Sequence, residues 1–469
     1  MALRRWGNSP LEGDTTLLGP LVILTTSLPS ANQYATSYSQ TLVGHGGGQP
    51  YVWTLISQSS INTATWQLSS SGVLTNLMPT LLNVETSQLV IQLADSFGTT
   101  PVQVTLSIAV VRQIPAGAAA LGYNFLLWSS QPTTTNVYTG AYATVPNQPW
   151  SSGWPFTNVI PPETLYSETP NGFFAMEQFP GTVNAQPESY MPIISAVQLS
   201  ETTVNIPVAA TLPLIPAGPG FYLSAKLISS GPDPNIRPTI FAFPTQHNPN
   251  GEQDIDPNDG NNHRWMEIDI WEGSGGNGKQ TVGSWNGALP WSGQSGTQLA
   301  SNPNFGPADI TKEHEYGGAY VPATGTLNIW LDNVANGSCT VQAAVGTPLT
   351  AEQLAWINAM TYYPMVAAFN DGTTAYTLGV FAVEVWIPFA DTTQDPIPSA
   401  TVGVPYSFQM TTNNASPYTP YVWTDPDDVL AGYGLTLTPS GLVSGTPTAS
   451  GTLITFNPIC TDAQGNVAQ

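Results

Sequence analysis

The sequence predicts an all-β protein assembled from several β-sandwich domains, and three observations carry that expectation. Gly and Pro number 43 each, beside many Thr, Ser, Asn and Val, a mixture that favours short strands and turns over helices. No stretch beyond a turn or two sustains a helical apolar period with good helix formers. Two distant segments repeat the same succession of strands and turns. With 469 residues, 41% of them hydrophobic, the chain has material for about two to four packed domains.

Charge is scarce and one-sided. Acidic side chains number 30 against 8 basic ones, a formal net charge of −22. Such a chain repels phosphate backbones and anionic lipid, so nucleic acid is not an expected partner and membrane insertion is not expected. The opening "MALRRWGNSPLEGD" lacks the apolar run of a signal peptide, and "LLGPLVIL" is too short to span a bilayer. Cys339 and Cys460 show neither metal spacing nor a disulfide framework and read as small core residues.

The repeat sets the domain plan. "LPSANQYATSYSQTLVGHGGGQPYVWT" near the start parallels "IPSATVGVPYSFQMTTNNASPYTPYVWT" near the end. Downstream, "SSSGVLTN" parallels "TPSGLVSG", and "ADSFG" parallels "TDAQG", in the same order. Each copy alternates short strands with Gly, Pro and Asn turns and carries a Trp suited to anchor the core, the grammar of an immunoglobulin-like sandwich. The pattern resembles the immunoglobulin-like (cadherin-like) repeats of bacterial surface and phage proteins. After its "ADSFG" the first copy continues into "TTPVQVTLSIAV", a final strand; the second stops about a strand short. Either the protein continues past Gln469, the favoured expectation, or a neighbour adds the strand at an open edge. The expected plan is an N-terminal extension (1–19), an immunoglobulin-like domain (20–112), a separate central domain (113–392) and an incomplete immunoglobulin-like domain (393–469).

The central domain holds "WMEIDIWEG", which places Glu267, Asp269 and Glu272 within one strand-like run of a chain only 8% charged. Alternation puts Glu267 and Asp269 on one face and Met266, Ile268 and Ile270 on the other. Strict alternation would then bury Glu272 on the apolar face, at a large desolvation cost. One extra residue near Ile270 and Trp271, a β-bulge, returns Glu272 to the acidic face, and a bulge is therefore predicted. Carboxyl groups so arrayed suit glycoside hydrolysis with retention, which needs two of them roughly 5–5.5 Å apart. A third between them can split the acidities by like-charge repulsion. An exposed acidic strand or a cation site gives the same pattern.

"EIDIWEG" resembles the E-[IL]-D-[IV]-x-E signature of family-sixteen glycoside hydrolases in its bulged, laminarinase-like form. Further segments agree in order. "GFYLSAKLISSG" and "RPTIFAFP" resemble that family's G-x-x-x-A-x-[IL] and P-A-F-W strands. "HEYGGAYVPATGTLNIWLDN" resembles its H-x-Y strand pair at His314, Tyr316, Pro322, Leu327, Trp330 and Asp332, and "FAVEVWIP" its closing strand. The likeness covers roughly residues 170–390. It implies a concanavalin-A-like jelly-roll sandwich cleaving β-glucans or galactans, with Glu267 as nucleophile, Glu272 as acid/base and Asp269 orienting them. It also implies His314 as a cleft-side neighbour and Phe243 in place of the family's Trp in P-A-F-W. Tyr320 replaces another family Trp, and Asp332-Asn333 replaces Asp-Gly.

Sugar clefts use flat aromatic platforms. Loop tryptophans supply candidates: Trp285 and Trp291 in "SWNGALPWSG", then Trp150 and Trp154 in "PNQPWSSGWPF". Trp in such loops equally often plugs a loop onto its own domain. "DIDPNDGNN" offers Asp254, Asp256, Asn258 and Asp259 as a weak calcium candidate, but Gly260 is one place late and Trp265 stands where a calcium loop needs Glu. A solvated Asx-turn loop is expected there, and no cofactor is required. Two functional expectations follow: a retaining glycan hydrolase, or a non-catalytic glycan-binding or spacer module in a structural or adhesion protein. Either suits a phage virion (a tail or decoration protein) or an extracellular surface, with a polysaccharide and other virion or surface chains as partners.

Overall fold

The computed structural model describes residues 19–34, 37–59, 66–76, 84–134, 137–138, 150–152, 166–168, 174–178, 193–195, 198–199, 207–209, 212–230, 236–244, 265–272, 280–288, 300–305, 310–344, 347–370, 376–389, 393, 396–413, 419–450, 455–463, 465 and 467–468. The chain divides into two compact units, residues 1–113 with 170–172, and the remainder.

In the first unit, strands β1 (Ala31–Asn32), β2 (Ser39–Thr41), β3 (Val52–Ser59), β4 (Trp66–Leu68), β5 (Val73–Asn76), β6 (Thr86–Ala94) and β7 (Val102–Val111) form two sheets. One has the order β1-β7-β6-β3 and the other β2-β5-β4. The alternation of β6 and β7 sends Leu89, Ile91, Leu93, Leu106, Ile108 and Val110 inward, where they meet Trp53 and Trp66 in one core. Asp95 closes the end of β6. Its Oδ2 accepts the Gly48 N–H at 2.9 Å and its Oδ1 the Thr99 N–H at 3.0 Å. The Gly48 bond leads in holding this carboxyl below the usual range. A depressed folded value means that the stabilisation is complete above the unfolded value and lost as pH falls through the folded one. Melting of wild type and Asp95→Asn should therefore differ most above about pH 4 and converge in stronger acid; a gap constant with pH would refute the assignment.

The second unit is mainly a β-sandwich. Its strands are β8 (Phe125–Ser130), β9 (Val137–Tyr138), β10 (Trp150–Ser152), β11 (Tyr166–Glu168), β12 (Phe174–Gln178), β13 (Ile193–Ser195), β14 (Phe221–Ser229), β15 (Ile236–Pro244) and β16 (Trp265–Glu272). They continue with β17 (Gln280–Ala288), β18 (Ala300–Phe305), β19 (His314–Val321), β20 (Thr326–Leu331), β21 (Val334–Thr340), β22 (Thr361–Asn370) and β23 (Tyr376–Ile387). One sheet runs β11-β12-β23-β14-β19-β20-β21, with β8 also on β23; the other runs β9-β10-β13-β22-β15-β16-β17-β18. Neighbours in space are far apart in sequence, and the inner faces share one jelly-roll core in which Leu223, Val383, Tyr316 and Leu327 meet Ile240, Ile268, Ile270 and Val366. A two-turn helix, Ala351–Asn358, starts at a capping box between Thr350 and Gln353.

The C-terminal repeat belongs to this unit. Strands β24 (Tyr406–Gln409), β25 (Val422–Thr424), β26 (Leu435–Leu437), β27 (Leu442–Gly445) and β28 (Ile459–Thr461) pair as β24-β27-β26 and β25-β28. Its Trp423, Val443 and Cys460 lie in the same continuous core as the sandwich, reached through the Phe389–Tyr421 ring contact at 5.6 Å.

The two repeat copies agree down to single bonds. Tyr38 donates its hydroxyl to the Pro29 carbonyl at 3.0 Å, and Tyr406 to that of Pro398 at 2.8 Å. The Trp53 N–H donates to Ser70 O at 3.1 Å, and that of Trp423 to Pro439 O at 2.9 Å. Gly72 and Gly441 sit at φ +87° and +86°, and an added Cβ would reach 2.6 Å from the Trp53 indole and 2.8 Å from that of Trp423. Each repeated Gly is thus demanded twice, by left-handed backbone and by the Trp over it. The copies differ at the end. In the first, β7 flanks β6 and joins β1; among the described residues of the second, β28 meets only a bridge from Thr461 to Val467 beyond its partner β25. Among the described residues no helix is long and apolar enough to cross a membrane.

Candidate functional site

The acidic run is an interior strand, β16, held between β15 and β17. Its ladder with β15 slips by one place: Ile240 faces Trp271, and Phe241 faces Asp269, which leaves Ile270 outside the register. This is the bulge that parity demands. Its effect on packing is direct, because two consecutive side chains now enter the core. Trp271 lies flat on Tyr316, centroids 3.8 Å apart at 10°, and the Ile270 tip fills the space above Gly318. Met266 and Ile268 are buried in the same core. Glu267 is half-buried and Asp269 is 1% exposed. Position 272 regains the parity of 267 and 269, opposite Thr239 on one side and Thr281 on the other. The Glu272 side chain lies outside the described residues.

The carboxylate face continues across β15 and β22. Ile240, Ala242, Tyr362 and Val366 belong to the sandwich core, so the alternate residues Phe241, Phe243, Tyr363 and Met365 occupy the other face with Glu267 and Asp269. Phe243 packs edge-on to Tyr363 at 5.9 Å and to Phe241 at 6.2 Å. Burial pushes the Tyr363 hydroxyl far above its ordinary range, and the Glu267 charge adds to this. Two acidic positions flank a buried Asp on an aromatic floor, an arrangement that can hold one carboxyl ionised and a neighbour protonated.

Several sequence-derived candidates change role. Trp150 is no platform. It is fully buried on β10, edge-on to Trp128 at 6.3 Å, with its indole N–H donated to Ser130 Oγ at 2.9 Å. A ring enclosed on all sides cannot stack on a sugar, and here the plugging alternative is realised. Phe243 is likewise 0% exposed, part of the packed floor rather than a solvent-facing ring. Trp285 stands in strand β17 opposite Ile268, not in a loop. Phe241, opposite Asp269, was not singled out in the sequence, although counting from Pro238 along the Pro-Ala-Phe-Trp pattern lands on it. Trp154, Trp291 and the Asp254, Asp256, Asn258 and Asp259 loop lie outside the described residues.

His314 is on the sheet opposite the carboxylates. Its Nδ1 is 2.7 Å from Asp332 Oδ2, and its ring meets Tyr316 edge-on at 6.2 Å. Asp332 also accepts the Glu315 N–H at 3.0 Å, from a turn where Asp332 and Asn333 have φ +50° and +63°. Asn tolerates this left-handed conformation, so the Asn in place of Gly keeps the turn. Among the described residues no group of three or more His, Cys, Asp or Glu is placed to hold a metal ion.

No protein-family model matches the sequence, and no curated protein does. Solved structures similar to this chain include the laminarinase catalytic domain of Thermotoga maritima, at 12% identity over 56% of this chain and 98% of that one, TM-score 0.35. A GlcNAcα1-4Gal-releasing endo-β-galactosidase of Clostridium perfringens matches at 12% identity over 72% and 78%, TM-score 0.36. An immunostimulatory antigen and pseudo β-1,3-glucanase of Mycobacterium tuberculosis matches at 13% over 56% and 98%, TM-score 0.33. Two sheets with these connections define the jelly-roll sandwich.

Proposed function

We propose that the sandwich is a retaining endo-glycosidase module acting on a polysaccharide, with Glu267 as nucleophile, Glu272 as acid/base and Asp269 orienting them. The observation that carries this reading is the bulge at Ile270, which gives positions 267, 269 and 272 one parity. In the first step the Glu267 carboxylate attacks the anomeric carbon while Glu272 protonates the departing oxygen. Water, deprotonated by Glu272, then releases the sugar and restores both groups. The net charge of −22 disfavours polyanionic glycans, so a neutral β-glucan or galactan is the better substrate. The module stands between immunoglobulin-like repeats, in a phage virion or other extracellular surface, with further virion or surface chains as neighbours.

A second reading is favoured by one observation: Phe241, Phe243, Tyr363 and Met365 are all buried, so the floor offers little ring surface to a sugar. It makes the sandwich a non-catalytic glycan-binding or spacer module. Reducing-end release from β-1,3-glucan, mixed-linkage glucan, agar and capsular polysaccharides separates the two. Turnover on one of them is expected; retained binding with no turnover on any would decide for the second.

A further inference from the structure

We propose that β19 is the mould for the bulge in β16, with Tyr316 and Gly318 as positioning residues for Glu272; this rests on reading Glu267 and Glu272 as the hydrolytic pair. A bulged residue sits outside the ladder, so strand pairing alone does not choose where the extra residue goes. The opposite sheet has to choose it, by receiving two consecutive core-facing side chains. Tyr316 and Gly318, two apart on the inner face of β19, do this with one flat ring and one missing side chain.

The ring takes Trp271, at 3.8 Å and 10°. The missing side chain takes Ile270: a Cβ at position 318 would stand 2.5 Å from Ile270 Cδ1 and 3.1 Å from Leu327 Cδ1. Tyr316 is itself braced by the edge of His314, which the Asp332 carboxylate holds at 2.7 Å. Asp332 is tied back to β19 by the Glu315 N–H. Exchanging the two receiving sites would mismatch both partners. Removing the bulge would turn position 272 toward the core, because a one-residue slip inverts every later side chain. The sequence "HEYGGAY" thus specifies the register, and with it the facing of position 272, on a different sheet.

The test uses the full chain and the variants Tyr316→Phe, Tyr316→Leu and Gly318→Ala. Glu272 is followed by carboxyl NMR titration of 13C-glutamate-labelled protein, assigned with Glu272→Gln. In Tyr316→Leu and Gly318→Ala the Glu272 midpoint should move by about half a pH unit or more. Their kcat per folded molecule should fall about tenfold or more at nearly unchanged KM. Tyr316→Phe, which keeps the stacked ring, should match wild type in both. Should one of the two disruptive variants fail to fold, the other decides. Lower melting temperatures with an unmoved Glu272 titration would overturn the inference, leaving β19 a merely structural neighbour. A Glu272 midpoint that moves as expected in Tyr316→Leu and Gly318→Ala, while wild type cleaves no glycan, would support the mould and overturn the hydrolase reading.

Discussion

Glu267→Gln is expected to lower glycan cleavage by about four orders of magnitude with little change in melting temperature. The substitution keeps the side-chain shape and replaces one carboxyl oxygen by an amide NH2. Glu267 is half-buried on the carboxylate-bearing face of β16, so an amide can stay in place there without an unpaired charge. A neutral amide cannot form the glycosyl ester on which retention depends. Initial rates on whichever polysaccharide wild type cleaves, with melting curves for both proteins, make the comparison. Cleavage at the wild-type rate would remove Glu267 from the nucleophile's role. A matching drop in melting temperature would instead assign the loss to folding.

Trp150→Ala should destabilise the second unit by about 3–5 kcal/mol, the usual cost of emptying a buried indole site. The indole is enclosed, touches Trp128 and donates to Ser130. Trp150→Phe should recover most of the loss, short by about 1 kcal/mol for the Ser130 hydrogen bond and by the smaller ring. Denaturant unfolding followed by tryptophan fluorescence measures both. Glycan affinity of the folded variant, measured at low temperature, should be unchanged. Weaker glycan binding at unchanged stability would restore Trp150 to the sugar site.

These two residues mark what could be read from the chain and what could not. Glu267 stands out because three carboxylates in one strand of a sparsely charged chain violate strand alternation unless the strand bulges, and the bulge follows from the cost of burying Glu272. Trp150 was ambiguous for an equally physical reason. A Trp among Gly and Pro has the same local sequence whether it faces a sugar or its own core. Only the strands it meets, 20 residues back at Ser130 for its hydrogen bond, separate the cases. Phe241 and Phe243 show the same limit: alternation puts both on the carboxylate face, but not whether that face is open.

Local rules therefore determined the all-β class, the paired Trp and Gly of the two repeats, and the acidic strand with its extra residue. They act over a few residues, through alternation, turn conformation and desolvation, and those are written in adjacent letters. The tertiary structure decided which tryptophan became core, which phenylalanine stands opposite Asp269, and that Tyr316 and Gly318 receive the bulge. Those outcomes depend on the meeting of strands dozens of residues apart, because side chains pack against whatever the sheets bring to them and not against their neighbours in sequence.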